Sequence, residues 1–167
     1  HNMGVDEADF YEAIASFKGA SNRLEKIAEG KGKVAYKDFA HSPSKVAATT
    51  KAVKEQYPDR TLVACLELHT YSSLNAEFLK EYEGALEYAD VAVVFYSPDA
   101  VTIKQLEEVT YEQIAKAFNR EDLIIYTNPA EFKTFLFNQN LENSALLLMS
   151  SGNYGGLNFD EVKNLML

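Results

Sequence analysis

An α/β sandwich, with a mostly parallel sheet of about six strands and helices on both faces, is the fold class this 167-residue sequence predicts. Three observations predict it. Short, continuous apolar runs ("TLVACLEL", "VAVVF", "LIIY", "SALLLMS") read as strands covered on both faces. Segments with helical spacing and legible caps separate them. The strict alternation of the two calls for crossover connections, hence parallel strands.

The elements follow in order. Phe10, Ala13, Ile14 and Phe17 recur at helical spacing behind Asp6, an N-cap residue. "RLEKIAEGKGKVAYKDF" reads as a hairpin turning around Gly30–Lys33. Ser42 and Pro43 supply an N-cap and a proline at the first helical position, and Val46, Val53 and Tyr57 form that helix's apolar stripe. "RTLVACLEL" is a buried strand, a helix near Asn75–Leu86 follows it, and "VAVVF" is the next strand. Thr110 and Gln113 stand at capping-box spacing before "YEQIAKAF". After the short strand "LIIY", Asn128, Pro129 and Glu131 open another helix in the same manner. "SALLLMS" is a final buried strand and Asn158 opens a C-terminal helix.

The gross numbers exclude several functions. A net charge of −9 argues against nucleic acid or an anionic membrane surface as partner, because both reward clustered Lys and Arg. The apolar runs are too short to span a bilayer, and the acidic "VDEADFYEAI" has no secretory-leader layout. The single Cys65 leaves no internal disulfide, fits a reducing compartment, and in its apolar strand reads as a buried thiol. Residues 1–3 (HNM) read as a tag remnant, and residues 4–167 as one domain cut from a longer chain.

In such sheets ligands sit outside the carboxyl ends of the strands. Three polar loops leave those ends: Asp38–Ser42, Glu67–Asn75 and Ser150–Gly156. Asp38 precedes a helix N-terminus, where N–H groups favour an anion; an acid there also suits ribose hydroxyls. The plain alternative is that Asp38 and Ser42 only cap the helix, and that His41 is a packed or solvent-facing histidine. "ELHTYSSLN" gathers an acid, a histidine, a tyrosine and the side chains of Thr70, Ser72, Ser73 and Asn75, although Ser73 or Asn75 could simply cap a helix. "SSGNYGG" faintly resembles a phosphate cradle but lacks a lysine and the P-loop spacing. Three histidines and one cysteine give no metal-ligand cluster, and no G-x-S-x-G occurs. From the residues alone this is a nucleotide- or small-molecule-binding domain without a complete catalytic set.

Taken together the motifs resemble the C-terminal domain of the Mur ligases, the ATP-dependent amide ligases of bacterial peptidoglycan synthesis. "FKGASNRLE" is similar to the family's F-K-G-x-x-R-R-x-E entry, and "DFAHSPSKV" to its D-Y/F-A-H-x-P segment, with Asp38, Phe39, Ala40, His41 and Pro43 matching. "MSSGNYGGL" resembles the M-S-N-G-x-F-G-G-I segment of the member that joins UDP-N-acetylmuramate to L-alanyl-γ-D-glutamyl-meso-diaminopimelate in peptidoglycan recycling. The runner-up is the L-alanine ligase, whose Q-P-H-R-Y-x-R loop leaves His69 and Tyr71 in this chain. The departures are specific. The family's paired arginines are Asn22 and Arg23 here, the second histidine is Ser42, and the Glu67–Ser73 loop has none of the family's arginines.

The resemblance implies a cytoplasmic bacterial ligase with a Rossmann-like C-terminal domain that closes over ATP and presents the acceptor. Arg23, Asp38, His41 and Ser42 would contact ATP. Glu67, His69, Thr70, Tyr71, Ser73 and Asn75 would line the acceptor pocket, beside Asp38's loop if their two strands neighbour each other. Glu67 would meet the acceptor's amine, and His69 and the hydroxyls a carboxylate. Gly152, Asn153, Tyr154 and Gly155 would form a loop near the site. UDP-N-acetylmuramate, the P-loop and the Mg²⁺ ligands belong to the family's other domains, so this piece alone would be inactive. The rivals are a dehydrogenase-type Rossmann domain, disfavoured by the lack of G-x-G-x-x-G, and a non-catalytic interaction domain of the same fold.

Overall fold

The structure, a computed structural model, describes Asp6, residues 23–103 and residues 109–167; the helix expected over Phe10–Phe17 and most of "FKGASNRLE" lie outside these residues. The first hairpin joins β1 (Glu25–Gly30) to β2 (Lys33–Asp38), antiparallel, through a turn in which Gly32 takes φ +74°. Only glycine adopts that backbone without cost. Then come α1 (Pro43–Gln56), β3 (Thr61–Glu67), α2 (Ala76–Leu79), β4 (Val91–Phe95), α3 (Pro98–Ile103) and α4 (Tyr111–Phe118). β5 (Ile124–Tyr126), α5 (Pro129–Asn138), β6 (Ser144–Met149) and α6 (Phe159–Met166) complete the order.

The six strands form one sheet in the order β1-β2-β6-β3-β4-β5, and every pairing except β1–β2 is parallel. The predicted class is therefore what is found. The continuous apolar runs have the predicted cause: Leu62, Ala64, Leu66, Ala145, Leu147 and Met149 pack on one face with α1, α2 and α4, while Val63, Cys65, Leu146 and Leu148 pack on the other with α5 and α6. Burial pushes the Cys65 thiol up, out of the range of a nucleophile.

Most caps are as read. Thr110 and Gln113 form a reciprocal capping box, and Asn128 and Asn158 accept from first-turn N–H groups. Two expectations are corrected. The helix near Asn75–Leu86 is only α2 followed by a 3₁₀ turn over Lys80–Tyr82. Glu83 then leaves with ψ 125° and Gly84 takes φ +71°. Leu79, Tyr82 and Leu86 are all buried, so their helix-like spacing is met by a tighter path across the core. Ser42 occupies the N-cap position with extended backbone, but its hydroxyl makes no capping bond; the entry to α1 rests on Pro43 and on the bond from the Val46 N–H to the Ser42 carbonyl.

The carboxy-terminal helix closes against β1 at one point of very close approach. A Cβ on Gly30 would stand 2.1 Å from the Met166 carbonyl oxygen. Gly30→Ala is expected to unseat the end of α6 and cost about 1–3 kcal/mol, as overpacking does. Urea unfolding of the chain measures it, and an unchanged midpoint would show that the contact gives way freely.

Candidate functional site

The loops after β2, β6 and β3 emerge from the same edge of the sheet, because those three strands are adjacent and parallel. Asp38's loop and the Glu67–Asn75 loop are not direct neighbours. β6 runs between them, so the Ser150–Gly156 loop is the centre of the edge. The Ser150 N–H donates to the Asp38 carbonyl at 2.9 Å and stitches the first two loops together.

Asp38 holds the β2 loop in shape. Its Oδ2 accepts the Leu24 N–H at 2.5 Å and its Oδ1 accepts the Ala40 N–H at 2.6 Å. Leu24 is held with φ +42°, an uncommon conformation for a branched side chain. Each carboxylate oxygen keeps further acceptor capacity, so this clamp and a hydroxyl ligand are compatible. Arg23, next to the clamped Leu24, is exposed. With Asp38, Lys45 and Thr49 it lines a recess of about 280 Å³ on the α1 side. A second recess, about 190 Å³, lies between the β2 and β6 loops and is lined by Lys37, Asp38, Ser150, Ser151 and Gly152. Phe39, half exposed, borders both.

His41 is tied into its own loop. Its Nδ1 lies 2.8 Å from the Phe39 carbonyl, its ring meets Phe39 edge to face at 5.1 Å, and its carbonyl accepts the Tyr82 hydroxyl. Ser42 is half-buried beside it.

Glu67 is buried, 3% exposed, at the end of β3. Its Oε2 accepts both the Ser150 hydroxyl and, at 2.9 Å, the Tyr154 N–H. Its Oε1 lies 3.7 Å from His69 Nδ1. Gly152 fits against both: a Cβ there would sit 2.8 Å from Glu67 Oε2 and 2.9 Å from the His69 ring. Thr70 and buried Ser73 bond each other reciprocally through backbone and hydroxyl groups at 3.0–3.1 Å. Asn75 caps α2 by accepting the Glu77 and Phe78 N–H groups. Of the six residues expected to line an acceptor pocket, Tyr71, Asn75 and the His69 side chain face solvent to a substantial degree, at 63% for Tyr71 and 42% for the His69 side chain.

Within the Ser150–Gly156 loop, Tyr154 is an anchor. It is buried, lies parallel to Phe132 at 5.0 Å, and its hydroxyl reaches the Cys65 and Met149 carbonyls at 2.8 and 2.9 Å. Tyr154→Phe is expected to cost about 1–3 kcal/mol, because two buried acceptors lose a donor; an unaltered urea midpoint would contradict this. Asn153 accepts the Gly156 N–H, and Gly155, at φ +68°, passes over Pro129 where a Cβ would meet the ring at 2.5 Å. Ser151 Oγ is buried with no hydrogen-bond partner among the described residues. The sequence named Ser150 and Ser151 only as part of a polar loop and Phe39 only as a matching position beside Asp38, and it did not single out Lys45. Only Phe39, an aromatic between a strand end and a helix, carried a local signal.

Among the described residues no three His, Cys, Asp or Glu side chains gather as a metal site, and no helix is long and apolar enough to cross a membrane.

A family model described as "Mur ligase, glutamate ligase domain" matches residues 22–152. A UDP-N-acetylmuramate–L-alanine ligase of Lactococcus lactis is 29% identical over 125 residues, 75% of this chain and 28% of that protein. A murein peptide ligase from Psychrobacter arcticus superposes with TM-score 0.70 at 20% identity, covering 99% of this chain and 34% of that one. A UDP-N-acetylmuramate–alanine ligase from Thermotoga maritima gives 0.68 at 16% identity, covering 99% and 33%. The chain thus spans about a quarter to a third of the length of these relatives. The relative from Lactococcus lactis and one from Microcystis aeruginosa are both named for L-alanine, so similarity alone does not single out the peptide acceptor suggested by "MSSGNYGGL".

Proposed function

The chain belongs to the Mur ligase family, and from that premise we propose that it is the C-terminal, ATP- and acceptor-binding domain of a cytoplasmic ligase that joins UDP-N-acetylmuramate to a peptide acceptor, L-alanyl-γ-D-glutamyl-meso-diaminopimelate. The observation that carries this reading is the side-by-side arrangement of the β2, β6 and β3 loops, with Arg23 and Asp38 at one end and His69 at the other. ATP would lie against Arg23, Asp38, His41 and Ser42. Asp38 would accept a ribose hydroxyl with the lone pairs its backbone clamp leaves over. Arg23 would approach the transferring phosphate. The acceptor would enter along Glu67, His69, Thr70, Tyr71, Ser73 and Asn75, with Tyr71, Asn75 and the His69 side chain as the solvent-facing members.

Both recesses are smaller than the ~300–1,000 Å³ that encloses a typical small-molecule ligand. They suit one wall of a site whose other wall is a second domain. That domain would carry the P-loop, Mg²⁺ and the UDP-N-acetylmuramate contacts. Magnesium there would neutralise the phosphates; among the described residues of this chain no three His, Cys, Asp or Glu side chains gather around a common point. The muramyl carboxylate would take up the γ-phosphate, and the acceptor amine would displace phosphate from the resulting acyl phosphate. Domain closure would keep water away from that intermediate.

The 29% identity to an L-alanine ligase favours a second reading in which free L-alanine is the acceptor. The extended polar loop offers more to a peptide than to so small a substrate. Two experiments test the ATP half of the proposal. The purified chain alone is expected to release no phosphate from ATP. The full-length protein is expected to bind a labelled ATP analogue, weakened by Asp38→Ala. Turnover by the chain alone that is lost on mutating Asp38 or Arg23, or the absence of analogue binding by the full-length protein, would remove the assignment.

A further inference from the structure

Glu67 has the chemistry to meet an amine, but its geometry turns it inward. One oxygen is taken by the Ser150 hydroxyl and the Tyr154 N–H, and the other faces His69 Nδ1 at 3.7 Å. Among the described residues His69 is the only cationic or potentially cationic side chain within 4 Å of this buried carboxylate. The ring rests against Gly152, where even a methyl group would collide. A carboxylate facing Nδ1 favours the proton on that nitrogen once the two are in hydrogen-bond contact, and this leaves Nε2, on the opposite side of a part-exposed ring, with its lone pair. This is the arrangement by which a carboxylate orients a histidine base in hydrolases.

We propose that Glu67 is a positioning residue that fixes the tautomer of His69, and that His69 Nε2 accepts the proton which the acceptor's ammonium must lose before it attacks. The proposal rests on the ligase reading above. The acceptor arrives as R–NH₃⁺. Nε2 takes one proton and becomes imidazolium, its Nδ1–H directed at Glu67. The freed lone pair forms the C–N bond at the acyl phosphate carbon. The C–O bond to phosphate breaks, phosphate leaves with that electron pair, and the second amine proton goes to the departing phosphate. His69 therefore meets the amine, not the carboxylate expected from the sequence, and Glu67 acts through it. The 3.7 Å separation must close by about 0.5–1 Å in the substrate complex to become a hydrogen bond, as catalytic contacts that are long in the free protein do.

The test is Glu67→Gln in the full-length protein. The amide oxygen can still accept from Ser150 and Tyr154, so the loop clamp survives, but the amide NH₂ then faces Nδ1. That forces the proton to Nε2 and removes the base. With ATP, UDP-N-acetylmuramate and the tripeptide ending in diaminopimelate, kcat is expected to fall about 10²- to 10⁴-fold, the range of a general base. The KM for ATP and the urea midpoint should stay at wild-type values. ¹⁵N-histidine NMR should show His69 as the Nδ1–H tautomer in the wild type and the Nε2–H tautomer in the variant. Wild-type kcat in Glu67→Gln, or an Nε2–H tautomer in the wild type, overturns the inference. His69→Gln, which leaves Glu67 and its clamp in place, should lose kcat to a similar extent, and near-normal turnover there overturns the proton transfer. A wild-type protein that releases no phosphate with any amine acceptor overturns the ligase reading itself, and the tautomer result then stands apart from it.

Discussion

Arg23→Ala in the full-length protein is expected to lower kcat by about 10²- to 10³-fold while raising the KM for ATP far less. The magnitude is that of removing one preorganised donor from a site where charge develops. The placement supports it: Arg23 is exposed at the rim of the Asp38 recess, one residue from a backbone held in an uncommon conformation. A charge placed for the transition state, and not for the bound nucleotide, appears in kcat more than in KM. Arg23→Lys should recover part of the loss, because the charge remains and the fork does not. Steady-state kinetics decide it. A variant with wild-type kcat would show that Arg23 does not reach the transferring phosphate.

Asp38→Ala is the second large effect. One lost charge-assisted hydrogen bond to a ribose hydroxyl is worth roughly 1.5–3 kcal/mol, or about ten- to a hundred-fold in the KM for ATP. The structure adds a component the residue pattern did not contain. The same carboxylate holds the Leu24 and Ala40 N–H groups. Without it, Leu24 is free to leave φ +42° and Arg23 loses its seat. Asp38→Ala should therefore also lower kcat and the urea midpoint. Asp38→Asn keeps an acceptor for one of the two N–H groups and should fall between wild type and alanine in both stability and KM. Unchanged ATP kinetics in Asp38→Ala, with stability reduced, would reduce Asp38 to a loop clamp.

Much of the fold was legible because its signals are local. Apolar runs such as "SALLLMS" report burial on both faces, and Thr110, Asn128 and Asn158 report helix starts, through contacts a few residues long. The stretch from Asn75 to Leu86 misled because its apolar spacing suits a helix while Gly84 and the fit of Tyr82 into the core favour a tighter path. The site was legible as three loops but not as an arrangement. That β6 enters between β2 and β3 depends on pairings such as Leu66 with Met149, far apart in the chain. Glu67 is turned inward by Tyr154, 87 residues away, so its chemistry pointed to the acceptor while its surroundings point to His69. Ser73 and Asn75 also make local bonds, to Thr70 and to the first turn of α2, which residue type alone does not report.

This domain is proposed to serve an amide ligase with a peptide acceptor. Acceptor-dependent phosphate release by the full-length protein tests it most directly, with ATP and UDP-N-acetylmuramate held constant. The panel is L-alanine, L-alanyl-γ-D-glutamate, and the tripeptides ending in diaminopimelate or lysine. Release is expected to require both UDP-N-acetylmuramate and an acceptor, with the highest kcat/KM for the tripeptide ending in diaminopimelate. A kcat/KM for L-alanine above that of every peptide would contradict the peptide acceptor, and the absence of release with all four would contradict the ligase.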